Sequence, residues 1–206
     1  MLFDDTFKTI EAVSEGQFRD RGSKFIGFAY PVKTEVTIKE IIHRLKKEHP
    51  QANHHCYAFR LTPDPSVYRA SDDREPSGSA GKPILGAIQS LQLTNVLVVV
   101  VRYFGGALLG VPGLIAAYKG AAHDALQNAN IITLTINEGI EIIFPFEFIN
   151  DVYSLLKSES IQIISQSYEN PCVINIEIRK SRSQQFIEKI KQHSTLAIHA
   201  KWKILY

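Results

Sequence analysis

VLVVVVRYFGGALLGVPGLIAAY, residues 96–118, is the stretch that decides the fold. Residues 96–101 are β-branched at every position except Leu97, and an apolar run without alternation belongs to a strand covered on both faces. Arg102 and Tyr103 close the run. Gly105, Gly106, Gly110 and Gly113 then carry the chain into a helix whose inward face is Leu114, Ala117, Tyr118, Ala121 and Ala125. Small residues on that face allow close approach to a sheet. Strand, glycine loop and helix in this order can also hold an anion at the helix N-terminus. Gly105 and Gly110 have the spacing of a Walker A loop, but Val111-Pro112 stands where Lys-Ser/Thr is required, and Gly-x-Gly-x-x-Gly is absent. A nucleotide-hydrolysing P-loop is excluded on those grounds.

Upstream lies a second punctuated stretch, SDDREPSGSAGKPIL, residues 71–85. Its glycine and serine N–H groups, the hydroxyls of Ser77 and Ser79, and Lys82 suit an anion, because the helix expected from ILGAIQSLQL starts directly afterwards. Arg19, Arg21 and Lys24 crowd a turn elsewhere in the chain. The expected anion-binding set is therefore Lys24, Arg74, Ser77, Gly78, Ser79, Lys82, Arg102, Tyr103, Gly105 and Gly106. A rival reading takes Asp72, Asp73 and Glu75 as acid–base carboxylates, His54 as proton shuttle, and Arg102 with Lys82 as anion clamps. That set describes a hydrolase-type enzyme acting on a phosphorylated or acidic small molecule. Ser79 sits in Gly78-Ser79-Ala80-Gly81, which is not a nucleophile elbow, so no serine nucleophile is assigned.

Farther out, residues 7–19 fit a first strand. Residues 25–32 fit a clearer one, with Phe25, Gly27 and Ala29 on one face and Ile26, Phe28 and Tyr30 on the other. Thr37 and Glu40 read as a capping box for a helix striped with Ile38, Ile41, Ile42 and Leu45 and ended by Pro50. Residues 54–61 form a strand in which His54 and Cys56 share a face and His55 points away. No second ligand pair stands at zinc spacing, so neither a metal nor a cofactor is expected. Residues 62–70 read as a loop.

From residue 131 the pattern changes. A strand at 140–144, a helix at 149–157, strands at 161–168 and 173–178, a helix opened by a Ser181/Gln184 box, and a strand at 197–205 give the order β-α-β-β-α-β, which is ferredoxin-like. Ile174, Ile176 and Ile178 alternate with Asn175, Glu177 and Arg179, so this sheet is expected to be covered on one face only.

Composition narrows the class. The chain has 206 residues, is 45% apolar and 21% charged, and carries a formal net charge of +2. It can bury a sizeable core. That charge is far from the footprint of a dedicated nucleic-acid clamp, so an RNA contact would need a local cluster. No apolar run is long enough to span a membrane, and the first residues, MLFDDTFKTIEA, carry no targeting pattern. Two cysteines, Cys56 and Cys172, give no disulfide framework, and the expected setting is the cytoplasm.

SKFIGFAYPV (23–32), HHCYAFR (54–60), SDDREPSGSAGKPIL (71–85) and VVVRYFGGALLGVPGLIAAY (99–118), in this order, resemble the IMPACT family and its YigZ-like bacterial branch. The resemblance implies an α+β chain. Residues 1–132 would form an IMPACT-type domain like ribosomal protein S5 domain 2 and RNase PH, and residues 133–206 a ferredoxin-like domain similar to domains III and V of elongation factor G. It further implies a non-catalytic cytosolic protein related to translational regulators, which binds RNA, the ribosome or a translation-associated partner through residues 72–82 and 102–113. Three positions depart from the family pattern. Arg74 stands where the family usually has glycine, Pro112 replaces a second glycine, and Ala116 replaces an arginine.

Overall fold

In the computed structural model, which describes residues 5–61 and 67–205, backbone contacts divide the chain into two units. One is Phe7–Leu134; the other is the chain from Thr135 onward together with Asp5 and Thr6. The first contains most of β1 (Thr6–Ile10), then β2 (Ser14–Asp20), β3 (Ser23–Pro31), α1 (Glu35–Glu48), β4 (His54–Arg60), β5 (Tyr68–Ser71), α2 (Gly81–Ser90), β6 (Val96–Tyr103), α3 (Gly110–Gln127) and most of β7 (Ile131–Thr135). Strands β1 and β7 pair with each other, and the rest form a five-stranded sheet in the order β2-β3-β6-β4-β5, antiparallel throughout.

Strand β6 lies at the centre of that sheet, as its sequence requires. Val96, Val98 and Val100 face a core shared with Phe25, Ile84, Ile88, Tyr118 and Ala121, which brings α2 and α3 onto one face. Leu97, Val99 and Val101 face Phe28, Tyr30, Ile38, Ile41 and Leu45, which places α1 on the other. Burying a side chain of this size is worth about 1.5–3 kcal/mol, so the unalternating run commits the strand to the middle layer.

The close contact between α3 and the sheet is set by glycines on the strands. A Cβ on Gly16 would stand 2.1 Å from the backbone nitrogen of Ala125, and one on Gly27 would stand 2.4 Å from the carbonyl oxygen of Ala121. Only a residue without a side chain lets a strand and a helix backbone meet at that distance.

Three local expectations are corrected here. Helix α1 starts earlier than its expected capping box, because Thr34 is the N-cap and its hydroxyl accepts the N–H of Thr37 at 3.2 Å. The first strand is two strands, β1 and β2. Of the loop expected at 62–70, residues 62–66 lie outside the described residues, and 68–70 belong to edge strand β5 paired with β4.

The second unit runs β8 (Asn137–Phe144), α4 (Ile149–Ser158), β9 (Ile163–Ser167), β10 (Cys172–Arg179), α5 (Lys180–Gln192), a short α6 (Leu196–His199) and β11 (Lys201–Ile204). Its sheet has the order β11-β8-β10-β9. Ile140, Ile142, Phe144, Ile174, Ile176 and Ile178 pack with Val152 and Leu156 of α4 and Phe186, Ile187 and Ile190 of α5. The opposite face carries Glu141, whose carboxylate meets Lys203 at 2.8 Å, and Asn175, which donates to Ser165 at 2.9 Å. The strand expected at 197–205 is a turn of helix followed by a shorter strand.

Helix α5 has no side-chain cap of its own, so the expected Ser181/Gln184 box does not form. Asp5 does that work from the far end of the sequence. It accepts the Ser181 N–H at 3.1 Å and the Arg179 Nε at 2.8 Å, and its other oxygen lies 2.7 Å from the Arg179 Nη2. The Arg179 guanidinium and then the Ser181 hydroxyl hold the Asp5 carboxyl well below the usual range.

Candidate functional site

Arg102 ends the buried run of β6 with 6% of its surface exposed. Its guanidinium lies over the Phe25 ring at 5.3 Å and the Phe104 ring at 5.5 Å. Its Nη1 donates to Glu75 Oε1 at 2.6 Å, and the hydroxyl of Tyr118 on α3 donates to the same oxygen at 2.7 Å. A charge this deeply buried requires an opposite charge and further donors, and Glu75 has both. His54 of β4 completes the group. Its Nδ1 lies 2.9 Å from the Asp73 carbonyl oxygen and must donate to it, which leaves Nε2 directed at Glu75, 3.7 Å away.

Cys56, one pleat along β4 on the same face, donates its thiol to the Asp72 carbonyl at 3.0 Å. Burial pushes this thiol up to about 12 and raises the Tyr118 phenol well above its usual value. Both groups therefore stay protonated and act as donors.

The loop between β5 and α2 is built on Asp72. Its carboxylate accepts the N–H groups of Gly78 at 2.8 Å, Ala80 at 3.0 Å and Gly81 at 2.8 Å. Burial pushes this carboxyl up, but the three backbone donors together with Lys82 outweigh it and hold the group below its usual value. Of the N–H groups expected to cradle an external anion, those of Gly78 and Gly81 are engaged by the loop's own carboxylate. Ser79 is fully buried with its hydroxyl on the Pro76 carbonyl at 2.6 Å. Asp73 accepts the His55 N–H at 2.7 Å. Both aspartates of the hydrolase-type reading thus accept backbone N–H groups of the fold.

Arg74 has φ of 72°, a left-handed backbone conformation that L-residues enter only at a cost. Pro112 falls in the first turn of α3, where its missing N–H removes no helical bond. Ala116 is exposed on the same helix. Gly105 is a packing residue: a Cβ there would lie 1.9 Å from the carbonyl carbon of Gly22, and its N–H donates to the Ser23 hydroxyl at 3.1 Å. Gly106 has φ of 88° beside open space.

The two loops meet around a pocket of about 390 Å³ lined by His54, Glu75, Arg102, Asn53, Pro76, Phe104, Leu108, Leu109, Gly110, Val111 and Leu114. Of the expected residues, the structure brings His54, Glu75 and Arg102 to this pocket. Ser77 and Lys82 are exposed outside it. Tyr103 points to the opposite face of the sheet, where its hydroxyl meets His49 Nδ1 at 2.8 Å. Lys24 lines a separate cavity of about 530 Å³ with Glu15, Ile26, Phe28, Glu48, His49 and Asp124. Among the described residues no group of three or more His, Cys, Asp or Glu is placed to hold a metal, and no helix is long and apolar enough to cross a membrane. Sequence reading missed the apolar walls. Leu108 and Leu109 gave the only signal, two leucines inside a glycine-rich turn that would otherwise face water.

Residues 21–126, which include the whole pocket, match the family model described as the Impact N-terminal domain. The chain is 35% identical over 127 residues to the IMPACT family member YvyE of Bacillus subtilis, covering 62% of this chain and 58% of that relative. It is 30% identical over 174 residues to the IMPACT family member YigZ of Escherichia coli, covering 84% and 85%. The crystal structure of a hypothetical protein superimposes with a TM-score of 0.74 at 25% identity, covering 98% of each chain.

Proposed function

The chain belongs to the IMPACT family, and from that premise we propose that it is a non-catalytic, cytoplasmic regulator that binds a translation-associated protein on the ribosome through the loop at 102–113. One observation carries this reading. Leu108 is 83% exposed, and Phe104, Val111 and Ile115 are 46%, 46% and 39% exposed along the same loop and the first turns of α3. Apolar side chains gathered this way beside a concave site suit a protein surface better than a phosphate backbone. A net charge of +2 favours the same choice.

The domain reading agrees with it. The β-α-β-β-α-β order and the sheet order β11-β8-β10-β9 support a ferredoxin-like second domain of the elongation factor G type. The sheet layered between α1 and the α2–α3 pair supports an S5-domain-2-like first domain. Fold likeness alone leaves activity open, so the weight rests on the exposed loop.

Co-sedimentation with purified ribosomes tests the proposal. The expected result is binding that persists as salt rises from 50 to ~300 mM and falls about tenfold in Leu108→Asp. No sedimentation at low salt would overturn it. Equal binding of protein-stripped ribosomal RNA with a steep salt dependence would replace the protein partner by RNA.

A further inference from the structure

We infer that the partner offers an amphipathic helix with acidic flanks, which lies along the first turns of α3 and seats one apolar side chain in the pocket between the two loops. This inference rests on the regulator reading for the surface it uses, and adds the chemistry of the occupant.

The shape of the surface favours a helix. Val111, Ile115 and Lys119 stand four residues apart on α3 and are all exposed, so they form one row along it. A second helix covers such a row with side chains at i, i+3, i+4 and i+7, and anchors one of them in an adjoining hollow. Phe104, Leu109 and Leu114 line that hollow, whose volume of about 390 Å³ has room for a large apolar side chain. Its polar end is a closed pair, because the buried Glu75 carboxylate lies 2.6 Å from the buried Arg102 guanidinium. What enters is therefore apolar rather than charged. Strand addition has no opening at the sheet edge on which α3 packs: Asp124 accepts the Gln17 N–H at 2.8 Å, and Asn128 donates to the Glu15 carbonyl at 2.9 Å.

Charge decides the flanks. Residues 76–123 contain no Asp or Glu, and that span supplies the exposed row and every lining residue of the pocket except Asn53, His54 and Glu75. Around it stand three exposed cations. Arg21 donates from Nη1 to the Leu108 carbonyl at 3.4 Å, Arg74 adjoins Glu75 in the chain, and Lys119 ends the row. Asp20, next to Arg21 in sequence, is half-buried and does not offset them. An apolar centre with a cationic rim favours Glu or Asp beside the partner's apolar anchors and disfavours Lys or Arg there. RNA would meet the cations but would leave the apolar centre uncovered.

The test uses the full chain labelled with ¹⁵N and four probes: an amphipathic helical peptide with leucines on one face flanked by glutamates, the same peptide with lysines for the glutamates, the glutamate peptide with alanines for the leucines, and single-stranded oligouridylate. The first is expected to shift the Gly110, Val111, Ile115 and Lys119 amide signals saturably, about tenfold more tightly than either altered peptide. The double variant Arg21→Glu, Lys119→Glu is expected to reverse the choice and take the lysine peptide more tightly, with the rest of the spectrum in place. If the two charged peptides bind alike, if neither moves these amides at millimolar concentration, if oligouridylate alone moves them, or if the double variant keeps the parent's preference, the inference is overturned. Ribosome co-sedimentation separates it from the reading it rests on. Sedimentation that Leu108→Asp weakens, without the charge preference, keeps the regulator and removes the acidic helix; the charge preference without sedimentation keeps the helix site and removes the ribosome.

Discussion

At position 74 an arginine holds a left-handed backbone conformation, φ 72°, that glycine adopts without strain. Its side chain is exposed, so Arg74→Gly is expected to raise stability by about 1 kcal/mol, read as a higher urea midpoint with an unchanged slope. Glu75, its neighbour, has the opposite sensitivity. Glu75→Ala would leave the Arg102 charge buried beneath Phe104 and is expected to cost about 3–5 kcal/mol, measured in the same titration. Cys56 lies in this network with its thiol pushed up to about 12. Native protein should therefore resist iodoacetamide at neutral pH at this position and become alkylated only in urea; rapid native labelling of Cys56 would show that the site opens. The sequence made these residues conspicuous but not their depths. Glu75 sits among Asp72, Asp73 and Arg74, a cluster that reads as a solvated turn, and only the arrival of β6 and α3 from elsewhere in the chain buries it.

At the scale of elements, periodicity was a sound guide where a face is apolar and a poor one where a cap comes from a distance. The inward face of α3 is buried at every position expected from its spacing. The start of α5 could not be read locally, because the carboxylate that satisfies Ser181 belongs to Asp5. Gly16 and Gly27 were legible only as breaks in a strand, yet they set how near α3 lies. Gly16→Ala would meet Ala125 backbone at 2.1 Å and is expected to destabilise by about 3 kcal/mol, seen as a lower midpoint in thermal unfolding. The loop after β5 makes a prediction of its own. The Asp72 carboxyl is held below its usual value, so its contribution is complete above the unfolded value of about 3.9 and is lost as pH falls through the lower folded value. Asp72→Ala should therefore be less stable than the parent at pH 7 by about 2–3 kcal/mol, and the gap should narrow in urea titrations taken below pH 4.

For the molecule as a whole, each unit has its own hydrophobic centre, and the sequence pattern changes near residue 131. What composition could not announce is that the second unit begins before the first does. Asp5 and Thr6 group with the residues from Thr135 onward, and Asp5 is 4% exposed while it clamps Arg179 and Ser181. Asp5→Ala is accordingly expected to speed hydrogen exchange at the start of α5 while β6 keeps its protection; unchanged exchange at Ser181 would show the clamp to be dispensable. The same clamp bears on how such genes can be shuffled. A recombination that imports only the codons from 135 onward brings the guanidinium and the helix start without the carboxylate that holds them. Exchange of this module between relatives therefore needs two crossovers, or an acceptor chain that already keeps an acidic residue at the position of Asp5.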